Sequence, residues 1–118
     1  MLLLNIDFRS KKLEKCCNDY KTSVKIWGNQ YADKVYQRLN ELRAAVTLSD
    51  ISHLPPAKCH ELDGQRADQF AVTTKQPARL IFKPDHEPIP KKYDGGIDRN
   101  LVTDILILEV EDYHGKAK

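Results

Sequence analysis

The stretch VTDILILEVED, residues 102–112, contains an unbroken apolar run from Ile105 to Leu108 and then turns polar. A run of this length is typical of a strand in the interior of a sheet, buried on both faces. Beyond Val110 the residues are almost all polar. We therefore predict a central strand that ends in a group of polar side chains.

Three shorter segments before this strand alternate apolar and polar residues and predict further strands. They are Lys58–Leu62, Gln69–Lys75 and Arg79–Lys83. Because neighbouring side chains on a strand point to opposite faces, Arg79 and Lys83 share one face and could bind an anion there. The segment from Pro84 to Asn100 is rich in proline, glycine and charge, which predicts a long loop before the last strand.

The first half of the chain predicts one strand and two helices. Leu2–Phe8 alternates as a short strand, and Ser10 can cap a helix from Lys11 to about Tyr20. Lys21–Trp27 fits neither helix nor strand clearly. After Gly28, Asn29 can cap a second helix, because apolar residues recur at three- and four-residue steps. These apolar residues are Ala32, Val35, Tyr36, Leu39, Leu42 and Val46.

The order of strand, helices and consecutive strands predicts an α+β fold, with the helices packed on a mainly antiparallel sheet. At 118 residues the chain fits a single domain, residues 1–118. No apolar run approaches the length of a membrane span, and the N-terminus lacks the basic region of a signal peptide. We expect a cytoplasmic protein, in which Cys16, Cys17 and Cys59 are reduced thiols that fill the core.

The net charge of +2 is too small to indicate nucleic-acid binding by itself. The distribution of the basic residues along the chain is more informative than the net charge. We interpret the helical clusters, which include Lys34, Arg38 and Arg43, as solvated faces. In the strand region the lysines could equally contact RNA. The candidate RNA-binding lysines are Lys75, Lys83, Lys91 and Lys92.

Six polar side chains arrive from successive predicted strands: His60, Arg66, Arg79, Asp112, Tyr113 and His114. Attack of a 2′-hydroxyl on its own phosphodiester requires a base, an acid and positive charge on the phosphate. Histidine, tyrosine and arginine can supply all three without a metal ion. Each residue also has a simpler interpretation, since a lone histidine is usually a surface residue and Arg79 could pair with a carboxylate. A zinc site from Cys59, His60 and His114 matches no known ligand spacing.

Four motifs of the second half resemble the HigB family of RelE-like toxins in order and spacing. The family pattern runs from a histidine, through a leucine and a glycine, to an aromatic strand, an arginine-led apolar strand and a terminal Asp-Tyr-His. The resemblance covers most of the chain from Cys59 onward, and the helical half agrees in layout only. The matching motifs are CHELDGQR at residues 59–66, QFAV at 69–72, ARLIF at 78–82 and EVEDYH at 109–114.

This resemblance implies a RelE-like fold and a ribosome-dependent endoribonuclease that cleaves mRNA without a cofactor. It implies as partners the ribosome and a helix-turn-helix antitoxin, through which alone the chain would contact DNA. The implied acid/base groups are His60 and His114, supported by Tyr113 and Asp112. Arg66 and Arg79 would hold the phosphate. The chain departs from the pattern at Asp63, where relatives often carry a phosphate-binding lysine, and in its long loop from Pro84 to Asn100.

Two other functions stay open at this level. One is a binding module of the same fold that acts through partner association without catalysis. The other is the DNA-binding antitoxin itself, which ranks last because no second short helix follows the helix that ends near Val46, as a helix-turn-helix would require.

Overall fold

The computed structural model describes residues 2–111, in which it places five strands and three α-helices. The strands form one sheet in the order β1-β5-β4-β3-β2. The helices, in chain order, lie between the first and second strands. The elements are β1 Asn5–Phe8, α1 Lys11–Asn18, α2 Tyr20–Trp27, α3 Asn29–Ala44, β2 His60–Glu61, β3 Phe70–Thr73, β4 Arg79–Pro84 and β5 Asp104–Glu111.

The sheet is antiparallel except where β1 runs parallel to β5. Strand β5 pairs with β1 on one side and β4 on the other, which confirms the interior strand predicted from its apolar run. A β-bulge interrupts the β4–β5 pairing, because Ile81 is opposite Glu109 while Phe82 is opposite Ile107. Leu108 is therefore the extra residue of the bulge. The consecutive apolar side chains of β5 thus pack on both faces of the sheet.

The helical half differs from the prediction in two details. Ser10 caps α1 as predicted, since its hydroxyl accepts a hydrogen bond from the Leu13 amide over 3.1 Å. The segment that fitted neither class forms the third helix, α2. The predicted cap of α3 is wrong, because Gly28, at φ +85°, occupies the cap position and Asn29 is already helical.

The main core lies between α3 and one face of the sheet. The predicted apolar stripe supplies Val35, Leu39 and Leu42, all fully buried. Opposite them, the Phe70 and Phe82 rings stack with centroids 5.8 Å apart on neighbouring strands. All five belong to one apolar cluster, which anchors the strands that carry the candidate site.

Arg38 contradicts the interpretation of the α3 cations as a solvated face. Its side chain is 2% exposed, and its Nε donates to the Thr73 carbonyl oxygen over 2.6 Å. Its Nη1 lies 2.9 Å from a carboxylate oxygen of Glu41. A buried arginine persists when its donors are satisfied, and here it joins α3 to the end of β3.

The predicted long loop between β4 and β5 is partly packed. Ile97 is buried in the main core and forms an isolated bridge with Lys91. The Arg99 guanidinium lies 5.0 Å from the centre of the Phe70 ring, a cation–π contact. Within residues 2–111, no helix combines the length and apolar character that crossing a membrane requires.

Candidate functional site

The sheet has a second face, opposite α3, which we call the outer face. A smaller apolar cluster lies on it, formed by Ala71, Ile81 and Leu108 with Leu62 and Leu106 packed alongside. None of these residues belongs to a helix. Polar and charged side chains surround this cluster. The outer face is therefore where the strands carry the candidate functional groups.

Strand register puts candidate residues from different strands onto this face. His60 pairs with Ala71, Ala71 with Ile81 and Ile81 with Glu109, which makes one row across four strands. In the adjacent row, Arg79 pairs with Glu111. From the spacing of strands and residues, the Cα atoms of His60 and Arg79 lie roughly 12 Å apart. The sheet therefore presents both residues on one face, two strands apart.

One ring nitrogen of His60 has a backbone partner. Its Nδ1 lies 2.9 Å from the backbone carbonyl oxygen of Lys58. A carbonyl oxygen only accepts hydrogen bonds, so Nδ1 carries the proton of the neutral ring. Nε2 then holds the lone pair, which is the arrangement that a general base requires.

Arg66 reaches the outer face from the connection between β2 and β3. Its Nη2 lies 2.7 Å from Glu109 and 3.2 Å from Glu111, both on β5. Since β5 is two strands away from β3, about 10 Å, the arginine must cross above β3 and β4. Ala71 and Ile81, on the two intervening strands, are fully buried and pack with Leu62, Leu106 and Leu108. Hydrogen bonding to Glu109 raises the pKa of Arg66 above its ordinary value, so the guanidinium stays charged.

Arg79 also pairs with a carboxylate, as its simpler interpretation anticipated. Its Nε donates to Glu111 over 2.6 Å, and its side chain is 18% exposed. Two arginines and two glutamates therefore meet at one end of the outer face with balanced charge.

Arg79 and Lys83 share this face, but four residues of strand separate them by about 13 Å. Ile81 lies buried between them, so the two cations stand apart on this face.

The candidate RNA-binding lysines do not form one patch. Lys83 and Lys91 line a single open cavity of about 520 Å³ together with Asp68. Lys92 is exposed beside Lys91, in a shallow depression that also includes Tyr93. Lys75 is half-buried in the turn between β3 and β4, at the opposite end of that hairpin from Lys83.

Three candidate residues, Asp112, Tyr113 and His114, lie outside the described residues. Among residues 2–111, no cluster of histidine, cysteine, aspartate and glutamate could hold a metal ion. Cys59 is fully buried in the main core, whereas His60 belongs to the row on the outer face.

The sequence interpretation missed Glu109 and Glu111 as members of the site. The available signal was their two-residue spacing on a predicted strand, which places both carboxylates on one face. Nothing local indicated that these two carboxylates would pair with Arg66 and Arg79.

Comparisons with known proteins identify the fold. No protein-family model matches the chain, and no curated protein matches it either. Among solved structures, a chain of the YoeB-YefM complex from Staphylococcus aureus superposes with a TM-score of 0.52. The similarity covers 93% of this chain and 97% of that chain, at 16% sequence identity. The fold is RelE-like. The α+β class predicted from the sequence is thus confirmed, and at this identity the similarity carries no information beyond the fold.

Proposed function

We propose that this chain is the toxin of a toxin-antitoxin pair, of the HigB type, and that it cleaves mRNA on the ribosome. The observation that carries the proposal is the presence of His60 and Arg79 in adjacent rows of the outer face of a RelE-like fold. The four motifs that resemble HigB add support, because the same two residues belong to them. The family assignment within RelE-like toxins rests on those motifs alone.

The proposed reaction needs no metal ion. A base takes the proton of the ribose 2′-hydroxyl, the 2′-oxygen bonds to phosphorus, and the bond to the 5′-oxygen breaks as an acid protonates it. The products are a 2′,3′-cyclic phosphate and a 5′-hydroxyl. We assign proton transfer to Nε2 of His60 and to His114, assisted by Tyr113 and Asp112. Arg79 stabilises the charge that develops on the phosphate.

Two kinds of partner follow from the proposal. The similar solved chain comes from a complex with a second protein, YefM. By analogy we propose a cognate antitoxin, of the helix-turn-helix type that the HigB resemblance implies. The ribosome is the second partner, since it would supply the mRNA and part of the catalytic geometry.

Induced expression tests the proposal. Without an antitoxin, the wild-type chain should arrest growth and shorten cellular mRNAs, with 5′-hydroxyl ends at the new termini. Co-expression of a helix-turn-helix protein encoded beside the gene should restore growth. The His60→Ala/Arg79→Ala double variant, matched for soluble protein, is the control. Normal growth with intact transcripts at the same level of soluble wild-type protein would overturn the proposal.

The balanced charges on the outer face favour a second candidate, a binding module without catalysis. Glu109 and Glu111 already pair with Arg66 and Arg79, which reduces the attraction for a phosphate. A purified chain that binds its antitoxin but leaves ribosome-bound mRNA intact would establish this alternative. A chain that cleaves the mRNA would exclude it.

A further inference from the structure

We propose that a cavity between α1, α2 and β5 binds one nucleotide of single-stranded RNA, with the base in its apolar interior and the phosphate at Arg9 and Lys12. The cavity has a volume of about 410 Å³, a size typical of small-molecule sites. The inference rests on the proposed function, because it names a second contact for the RNA substrate beside the outer face.

The interior of the cavity is apolar. Helix α1 contributes Leu13 and Cys16, α2 contributes Ile26, and β5 contributes Leu108. Leu13 and Ile26 are half-buried, whereas Cys16 and Leu108 are only 6% and 8% exposed. A nucleobase has two apolar faces, so its entry would remove hydrocarbon surface from water on both partners, which is favourable.

Two cations contribute to the lining of the same cavity. Arg9 directly follows β1, and Lys12 lies in the first turn of α1. Both side chains are exposed, and neither has a hydrogen-bond or ion-pair partner among residues 2–111. The backbone N–H of Arg9 donates to the Ile107 carbonyl oxygen over 2.9 Å, which holds this residue beside Leu108. An arginine and a lysine without protein acceptors can both donate to a phosphate.

The charge of the lining favours an anion. Glu109 also lines the cavity, but its carboxylate lies 2.7 Å from Nη2 of Arg66. The guanidinium of Arg66 offsets that negative charge, so the positive charges of Arg9 and Lys12 dominate. The cavity therefore combines an apolar interior for a base with net positive charge for a phosphate.

Glu109 also connects the cavity to the candidate site. The row of residues that begins at His60 crosses β3 and β4 and ends at Glu109, three strands away, or about 14 Å. An RNA strand that follows this row from His60 arrives at the cavity. This position favours RNA over an acidic peptide, the other ligand that such a lining suits, because the proposed substrate must already contact this face.

Methyl NMR of the purified full chain tests the site directly. The probe is a single-stranded RNA trinucleotide with 2′-O-methyl groups, which the proposed reaction cannot cleave. It should shift the methyl signals of Leu13, Ile26 and Leu108. A trinucleotide of the same charge without bases should shift them much less, because only the ionic contacts remain. The methyl signals of Leu54, which is 58% exposed and lies outside the cavity lining, are the internal control.

Two variants separate the contributions of the cations and of the apolar interior. Arg9→Ala should weaken binding of the trinucleotide several-fold, whereas Lys25→Ala, an exposed cation of α2 outside the lining, should not. Ile26→Trp fills the cavity and should suppress the shifts of Leu13 and Leu108, with a thermal melt as the check on folding. If this variant does not fold, Arg9→Ala and the trinucleotide without bases still decide the question.

The possible outcomes are distinct. Unshifted methyl signals at saturating trinucleotide, equal shifts with and without bases, or equal weakening by Arg9→Ala and Lys25→Ala would each overturn the inference. A response to the antitoxin alone would also overturn it and make the cavity a protein contact. The measurement uses no ribosome, so it is independent of cleavage. If the wild type cleaves mRNA while these signals stay in place, only the cavity assignment fails. If the signals shift but ribosome-bound mRNA stays intact, only the proposed function fails.

Discussion

Lys91 Nζ lies 3.1 Å from Asp68 Oδ1, and this ion pair joins the β4–β5 connection to the turn that precedes β3. Both side chains are more than 40% exposed, so the pair contributes little to stability. The pair is informative about geometry, because it shows that the segment with the exposed Lys92 and Tyr93 lies close to the connection that carries Arg66. Of the two neighbouring lysines, Lys92 is the better probe of RNA binding, since Lys91 already faces a carboxylate.

Lys92→Ala should weaken binding of the purified chain to mRNA-programmed ribosomes several-fold at low salt. Loss of one phosphate contact to a single strand should also reduce the slope of log K against log salt by about 0.7. Filter binding over a salt series measures both quantities. Lys21→Ala, at an exposed position on α2, should leave them unchanged. An unaltered salt slope in Lys92→Ala would remove this lysine from the RNA contact.

Arg79→Ala should lower cleavage of ribosome-bound mRNA on the order of 10²-fold, as loss of one preorganised charge donor does. The fold should survive, because Glu111 keeps its contact with Arg66. Single-turnover cleavage measures the rate, and a thermal melt measures the stability of the fold. Lys21→Ala, at an exposed position on α2, is the control for loss of one positive charge. Equal losses in the two variants would indicate general electrostatic attraction and contradict a specific role for Arg79.

His60→Gln should lower the cleavage rate by about 10²-fold or more, because glutamine cannot exchange a proton. Stability should change little, since the side chain lies at the end strand of the sheet and bonds only a local carbonyl. His53→Gln provides the control at an exposed histidine. Wild-type cleavage by His60→Gln would leave proton transfer to other groups.

Truncation after Asp112 removes Tyr113 and His114 and leaves every strand and helix of residues 2–111 intact. We expect folding and antitoxin binding to persist while mRNA cleavage and toxicity disappear. Circular dichroism, antitoxin pull-down and a growth assay test the three parts. A truncated protein that cleaves at the wild-type rate would show that His60 and the arginines suffice.

Two of the three thiols should be unreactive in the native protein. Burial raises the pKa of Cys17 to about 12 and that of Cys59 to about 11, from an ordinary value of 9.0. The thiolate is the reactive form, so iodoacetamide at pH 8 should label both only when the chain unfolds. Mass spectrometry of the Cys16→Ser variant, with and without urea, measures this. Rapid labelling without urea would contradict it.

The same pKa values give the direction of a pH effect on stability. Because the folded-state values exceed 9.0, the unfolded chain loses its thiol protons first as the pH rises. The contribution of these thiols to the free energy of unfolding is therefore complete below about pH 9. It declines as the pH rises through about 11 and about 12. Cys59→Ala should show a weaker decline than wild type in urea titrations over this range.

Much of the fold follows from local patterning. Period-two alternation predicts β3 and β4, three- and four-residue steps predict α3, and the apolar run predicts that β5 is interior. These signals are readable because side-chain direction depends on φ and ψ within a few residues. They also placed His60 and Arg79 on strands, and the alternation of β4 correctly put Arg79 and Lys83 on one face.

The pairing of Arg66 and Arg79 with Glu111 required the tertiary structure, because these partners lie 45 and 32 residues apart in the chain. Strand order and the bulge at Leu108 determine which carboxylate faces which guanidinium, and neither leaves a local signature. The same holds for Arg38. Its position on α3 suggested a solvent-exposed side chain, but its hydrogen-bond partner is the Thr73 carbonyl oxygen at the end of β3. Local periodicity determines which face of an element is apolar, whereas the register between distant elements determines which charges meet.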